Sequence, residues 1–143
     1  MSSSYSPQTE LFYVAAREQC DIVSSQPEQF VPGRLCFGSG NEPVSSEKDW
    51  GALRAIDPRN GDIKWEFRYY SAPWGGALST AGGVVFAGDT ADARTGRDLW
   101  HFQTGSPIFA SPVTSAVKGK QNIVIASGAG LFAFALPDRT TGH

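Results

Sequence analysis

Charge is scarce in this 143-residue sequence: Lys, Arg, Asp and Glu make up 18%, and the net charge is −2 with an isoelectric point near 5.6. No broad basic field exists to hold a nucleic-acid backbone or an anionic membrane, so neither is expected as a partner. No apolar run approaches the roughly 18 to 20 residues needed to cross a bilayer. The opening MSSSYSPQTE has neither the basic nor the apolar stretch of a secretory leader, so the chain as written reads as soluble and without an address. Cysteine is limited to Cys20 and Cys36, with no CxxC or CxxH companion, which excludes the usual zinc spacings. A single disulfide in an oxidising compartment and two free buried thiols both fit that pair. The two histidines, His101 and His143, have no nucleophile or carboxylate partner at the spacing of a catalytic triad.

What is abundant is glycine, with 16 residues, and proline, with 9, alongside a hydrophobic content of 41%. A chain of this length suits one domain that buries about two thirds of its unfolded surface. The glycine content favours strands and tight turns over helices. An internal repeat then dictates the architecture. Ala55-Ile56-Asp57-Pro58-Arg59-Asn60-Gly61-Asp62-Ile63-Lys64-Trp65 is echoed by Asp92-Ala93-Arg94-Thr95-Gly96-Arg97-Asp98-Leu99-Trp100 at a constant offset of 35. Asp-x-x-x-Gly reads as a strand end and a turn, in which the carboxylate accepts backbone N–H bonds and glycine supplies a positive φ. The tryptophan that follows can pack between neighbouring sheets and give its N–H to a backbone carbonyl. Radially arranged sheets suit such a residue.

A second periodic element is a short apolar strand preceded by a polar or glycine turn. It occurs at Leu11-Phe12-Tyr13-Val14-Ala15, Val84-Val85-Phe86-Ala87 and Ile123-Val124-Ile125-Ala126, each after a segment of shared style beginning near Ser4, Ala77 and Ser111. Three copies of one strand pair are expected, covered on both faces because the runs are nearly continuously apolar. Between the first pair and Trp50, residues 17–49 form a Gln-, Ser-, Pro- and Gly-rich excursion holding both cysteines. Its length points to a path over the face of the sheet array. The third copy ends at Leu131-Phe132-Ala133-Phe134-Ala135-Leu136-Pro137, like Leu53 to Pro58. The second copy passes so quickly from Phe86 to Asp92 that about seven residues, roughly one strand with part of its turn, are expected to be missing.

Two stretches, Trp50-Gly51-Ala52-Leu53-Arg54-Ala55-Ile56-Asp57-Pro58 and Pro73-Trp74-Gly75-Gly76-Ala77-Leu78-Ser79-Thr80-Ala81-Gly82-Gly83-Val84-Val85-Phe86, resemble the C-terminal part of PQQ-dependent (quinoprotein) alcohol dehydrogenases. The Asp-x-x-x-Gly-x-x-x-Trp unit is common to many propellers, whereas Trp-Gly-Gly-x-Leu-x-Thr-x-Gly-Gly is far more specific. The resemblance covers almost the whole chain. It implies an all-β, partial β-propeller of PQQ-type repeats: residues 1–143 would form about three incomplete four-stranded blades of an eight-bladed ring. The family's quinone, PQQ, lies in the central channel with a calcium ion beside it. By the family pattern Trp74 would lie near the cofactor, where a planar quinone wants aromatic surface and the following glycines allow close approach. An interblade packing tryptophan is the other reading of that position. The family's adjacent cysteine pair has no counterpart, and its catalytic aspartate and Glu, Asn and Asp calcium ligands come from earlier parts of its chain. The resemblance therefore implies no catalytic residue and no metal ligand here, and the chain alone is expected to be inactive. Its aromatic C-terminal stretch is replaced by Ser127-Gly128-Ala129-Gly130.

Other constellations read as structural. Asp89, Asp92 and Asp98 could form a calcium cluster, but Asp92 belongs to the repeat turn and isolated surface carboxylates need no ligand. Gly82-Gly83 and Gly128-Ala129-Gly130 lack the Lys-Ser/Thr and the helix of a phosphate loop. The expected function is a wall of a periplasmic oxidoreductase that passes two electrons from a primary alcohol, or a related sugar or aldehyde, to PQQ. A non-enzymatic propeller scaffold, like that of outer-membrane assembly lipoproteins, is the alternative, and a degenerate remnant a third. Three incomplete units leave open sheet edges, so self-association is expected, most simply as a two-fold dimer.

Overall fold

In the computed structural model, residues 1–44, 49–88 and 90–136 are described. Among them there is no helix, and thirteen strands make three blade-like sheets and one separate hairpin. The first sheet has the order β1-β2-β5-β6, with β1 at Ser4–Ser6, β2 at Leu11–Glu18, β5 at Trp50–Ile56 and β6 at Ile63–Tyr69. The second runs β7 (Leu78–Ser79), β8 (Val84–Phe86), β9 (Thr90–Asp92), β10 (Asp98–Trp100). The third contains β11 (Val113–Val117), β12 (Lys120–Ser127) and β13 (Gly130–Ala135). Every pairing is antiparallel, so short turns suffice within each sheet. The three expected strand pairs are β1–β2, β7–β8 and β11–β12.

The second sheet corrects one expectation. No strand is missing: all four are present, but each spans only two or three residues. Phe86 pairs directly with Thr90, so the shortening falls on the β8–β9 hairpin as a whole. A sheet can lose length from two paired strands at once without breaking its order, whereas losing one would leave its neighbour's backbone groups unpaired.

The repeat turns do what their sequence demands. Gly61 and Gly96 have φ of +80° and +70°, and their N–H groups donate to the carbonyls of Asp57 and Asp92 at 2.8 and 2.9 Å. The Asp57 carboxylate accepts the Arg59 N–H at 3.1 Å and the Arg59 guanidinium at 2.8 and 2.9 Å. The Asp92 carboxylate accepts the N–H groups of Arg94 and Thr95 and the Thr95 hydroxyl. Each turn delivers the next strand, and with it a tryptophan.

Trp65 lies on the face of the first sheet that meets the second. Its Nε1 donates to Ala93 O at 3.1 Å, and its ring lies 5.8 Å from that of Tyr13, whose hydroxyl donates to the same carbonyl at 2.9 Å. A Cβ on Gly96 would come within 2.5 Å of the indole, so the second turn needs glycine for contact as well as for φ. The core is this seam. Large groups of the first sheet, Leu11, Tyr13 and Leu53 with Trp65, Phe67 and Tyr69, close on small ones of the second: Ala77, Val85, Ala87, Ala91 and Ala93. The second and third sheets meet through Trp100, Phe102, Phe132 and Phe134, with ring centroids 5.0 to 6.4 Å apart. Trp100 is left about half exposed.

The chain leaves the first sheet after Glu18 and rejoins it at Trp50. In between, β3 (Asp21–Ser25) and β4 (Ser39–Pro43) form a hairpin of their own. Glu28 gathers its loop by accepting the N–H groups of Phe37 and Gly38, both at 3.0 Å. Cys20 and Cys36 are both exposed and unbridged. Neither is a buried thiol, because this excursion has no core in which to bury one.

Candidate functional site

Trp74 sits on the segment that carries the chain from β6 to β7, hence from the outer strand of one sheet to the first strand of the next. Its side chain is 53% exposed. It borders a cleft of about 730 Å³ whose walls include Phe67, Tyr69, Arg68, Asp98 and His101. A void of about 40 Å³ between Trp100, Phe102, Ile123 and Ile125 belongs to the seam of the second and third sheets and is too small for a ligand. Phe109 stands thirty-five positions after Trp74, as Trp100 does after Trp65, and the Trp74 and Phe109 rings meet at 5.9 Å. The repeat thus brings two equivalent aromatic residues of successive sheets together.

One feature near the indole carries no signal in the sequence. Arg17, next to last in β2, lays its guanidinium against the Trp74 ring, 3.5 Å from the centroid. A hydrogen bond to the Gln19 side chain also holds it. Nearby, Arg54 bridges Glu18 and Glu66, each at 2.7 Å, and Arg68 lies 3.8 Å from the Trp50 ring centroid. The two carboxylates push the Arg54 guanidinium above its ordinary value, the Glu66 hydrogen bond most of all.

The glycines after Trp74 have a different explanation from the one expected. A Cβ on Gly75 would lie 3.1 Å from Ala110 O, and one on Gly76 would collide with the hydroxyls of Ser2 and Ser111. These hydroxyls bond each other at 2.6 Å, and Ala77 N donates to Ser2 O at 2.9 Å. Close approach does require these glycines, but it is the chain itself that approaches. The entries to the first strands of all three sheets converge there.

The remaining candidates scatter. Asp92 is occupied by its own turn, Asp98 lies 3.8 Å from His101 on the surface, and Asp89 and His143 fall outside the described residues. Among the described residues no three His, Cys, Asp or Glu side chains gather to hold a metal. Around Trp74 the described residues offer an exposed aromatic ring with a guanidinium stacked on it and a cleft beside it.

No protein-family model matches the chain. Individual proteins do. It is 36% identical over 137 residues to the quinoprotein alcohol dehydrogenase PedH of Pseudomonas putida and 35% identical over 134 to the quinoprotein ethanol dehydrogenase of Pseudomonas aeruginosa. The chain is homologous to a segment of the quinoprotein alcohol dehydrogenases. The two matches take in 91% and 89% of it but only 23% and 22% of those proteins. A lanthanide-dependent methanol dehydrogenase of Methylorubrum extorquens is 35% identical over 140 residues, which is 92% of this chain and 23% of that one. The solved structure of a europium-containing methanol dehydrogenase superposes with a TM-score of 0.78 at 28% identity, over 92% of this chain and 25% of that one. The quinohemoprotein alcohol dehydrogenase of Comamonas testosteroni gives 0.73 at 32%, over 90% and 22%. The quinoprotein-like segment thus has the partial propeller fold that its repeats imply.

Proposed function

We propose that this chain forms the C-terminal wall of the quinone site in a PQQ-dependent alcohol dehydrogenase propeller, with Trp74 as its contribution to that wall. The observation that supports this is the Trp74 indole. It is more than half exposed at the mouth of a ligand-sized cleft and lies in the Trp-Gly-Gly run that resembles that family. When bound, the quinone supplies the redox chemistry by taking two electrons from an alcohol, and the protein binds and orients it. A primary alcohol, or a related sugar or aldehyde, is the proposed substrate, and the periplasm the proposed compartment. Arg17 holds the stacking position on the indole. A planar ligand must therefore displace that guanidinium or use the other face. Calcium is the metal that the family resemblance implies. Two relatives carry a lanthanide in their names, so the proposal extends to either metal, held by side chains other than those described.

The test is a graft in which residues 1–143 replace the matching segment of the Comamonas testosteroni enzyme. The graft should retain quinone, and Trp74→Ala should weaken its binding about two- to tenfold, the worth of one aromatic contact. Unchanged binding in a folded Trp74→Ala graft would remove Trp74 from the wall. A second reading, a non-enzymatic propeller scaffold, draws on the occupied indole face and on the glycines filled by the chain itself. It predicts a folded graft that holds no quinone at all.

A further inference from the structure

We propose that Gly51 is a positioning residue for Trp74: the space left by its missing side chain seats Pro73, and that seat sets where the next residue presents its indole, a role that rests on Trp74 lining the quinone site. Register fixes the seat. In the first sheet Arg17 of β2 pairs with Gly51 of β5, and Gly51 pairs with Tyr69 of β6, so the three stand in one row. Residues directly opposite one another in a sheet share a face. Tyr69 packs against the seam with the second sheet, so the row faces that way. Between Arg17 and Tyr69 the buried Gly51 leaves a notch, and Pro73 fills it: a Cβ on Gly51 would collide with Pro73 Cδ and stand 2.6 Å from Ala16 O. Gly51 has ordinary strand geometry, so contact and not backbone conformation is what requires glycine there.

Neither obstacle can swing aside. Ala16 O belongs to the backbone of the paired strand, and the proline ring is closed onto its own backbone, with φ fixed near about −65°. A methyl group added at position 51 must therefore move the Pro73 backbone itself by about 1 Å or more to restore a carbon–carbon contact of about 3.5 to 4 Å. The Trp74 Cα is one peptide unit of about 3.8 Å away and moves with it. The other side of Trp74 is held as closely, since a Cβ on Gly75 would lie 3.1 Å from Ala110 O and 3.3 Å from Ile108 Cγ2. With the chain seated on both sides, a shift at Pro73 passes to the indole. The partner of that indole belongs to the same row, because the Arg17 guanidinium lies 3.5 Å from the ring centroid. Gly51 thus sets the Trp74 ring and its distance from Arg17 together, and a platform held to within about 0.5 Å is what recognition of a planar ligand needs.

The emission and acrylamide quenching of Trp74, taken as the difference between each variant and the same variant carrying Trp74→Phe, report its position without quinone. They are measured in the free chain and in the graft, with circular dichroism to confirm folding. Gly51→Ala should change the Trp74 component, with stronger quenching as the face under Arg17 opens. Pro73→Ala empties the same seat without adding an atom, should have the same effect, and decides the matter if Gly51→Ala fails to fold. Gly82→Ala, whose Cβ would meet nothing closer than 3.8 Å, should leave that component unchanged. In the graft, Gly51→Ala and Pro73→Ala should each weaken quinone binding about two- to tenfold, as Trp74→Ala does, and neither should weaken a Trp74→Ala graft further. A Trp74 component unchanged in the folded seat variants would overturn the proposal, whatever happens to quinone affinity. An indole that moves while quinone affinity holds would instead remove Trp74 from the wall, and the role of Gly51 with it.

Discussion

Replacing Trp65 with alanine tests the seam between the first two sheets. Deleting a fully buried tryptophan costs about 3 to 5 kcal/mol. Trp65 is only partly buried, and the gap left beside Tyr13 and Gly96 opens toward solvent, which favours the lower end. The lost hydrogen bond is already modest, about 1 kcal/mol, and Ala93 O keeps the Tyr13 hydroxyl as a partner, so no orphaned carbonyl is added. A loss of about 3 kcal/mol follows. Trp74→Ala removes a half-exposed ring whose main partner is a guanidinium, worth about 0.5 to 1 kcal/mol at such a site. In urea, with a slope of about 1.5 kcal/mol per molar, the midpoint should fall by about 2 M for Trp65→Ala and by about 0.5 M for Trp74→Ala. Equal shifts, or a larger one for Trp74→Ala, would refute the division between a structural and a site-lining tryptophan.

The two repeat-turn glycines should differ on substitution. Gly61→Ala meets open space and costs only its left-handed backbone, about 1 to 2 kcal/mol, whereas Gly96→Ala also collides with the Trp65 ring and should lower the melting temperature clearly further; equal costs would contradict the packing. Acid should unfold the chain through the same turns. The Arg59 guanidinium, then the Arg59 N–H, holds the Asp57 carboxyl below its usual range, and the Thr95 hydroxyl, then its N–H, does so for Asp92. A folded value below the unfolded one gives stability that is complete above about pH 5, fades from near the unfolded value of about 4 and is lost as pH falls through the folded value. Denaturant midpoints should therefore hold from neutrality to about pH 5 and then drop, and Asp57→Asn should be weaker at neutrality and flatter in acid; an unchanged acid slope in that variant would contradict the assignment. Because Cys20 and Cys36 are both exposed and unbridged, a thiol reagent should titrate two groups in the native chain without denaturant; no reaction before unfolding would mean that the excursion is covered.

Local rules made the turns and the tryptophans legible. Asp57 and Gly61 form their turn from groups four residues apart, and Trp65 follows on a strand whose partner the repeat supplies. The second sheet was harder to read. Strands of two or three residues carry too little periodicity to separate from a turn, so Phe86 to Asp92 looks one strand short when it is a compressed hairpin. Gly75 and Gly76 show the limit of reading a motif in isolation. Glycine announces that something comes close, but only the fold shows that Ser2, Ala110 and Ser111 do. The Arg17 guanidinium on Trp74 joins residues fifty-seven positions apart, and no spacing rule links the end of β2 to the β6–β7 connection. The hairpin within residues 17–49 leaves no mark in the sequence for a related reason. Both its strands are exposed on every described side chain, so they lack the alternation that marks a half-buried strand.

Trp74 is proposed to offer one wall of a quinone site without completing it. Titrating PQQ with calcium, and separately with a lanthanide, into the free chain and into the graft, while following the fluorescence difference between wild type and Trp74→Phe, tests that claim directly. Saturable, Trp74-dependent quenching is expected in the graft, and none at sub-micromolar quinone in the free chain. Sub-micromolar, Trp74-dependent saturation in the free chain, or a graft whose quenching ignores Trp74, would contradict it.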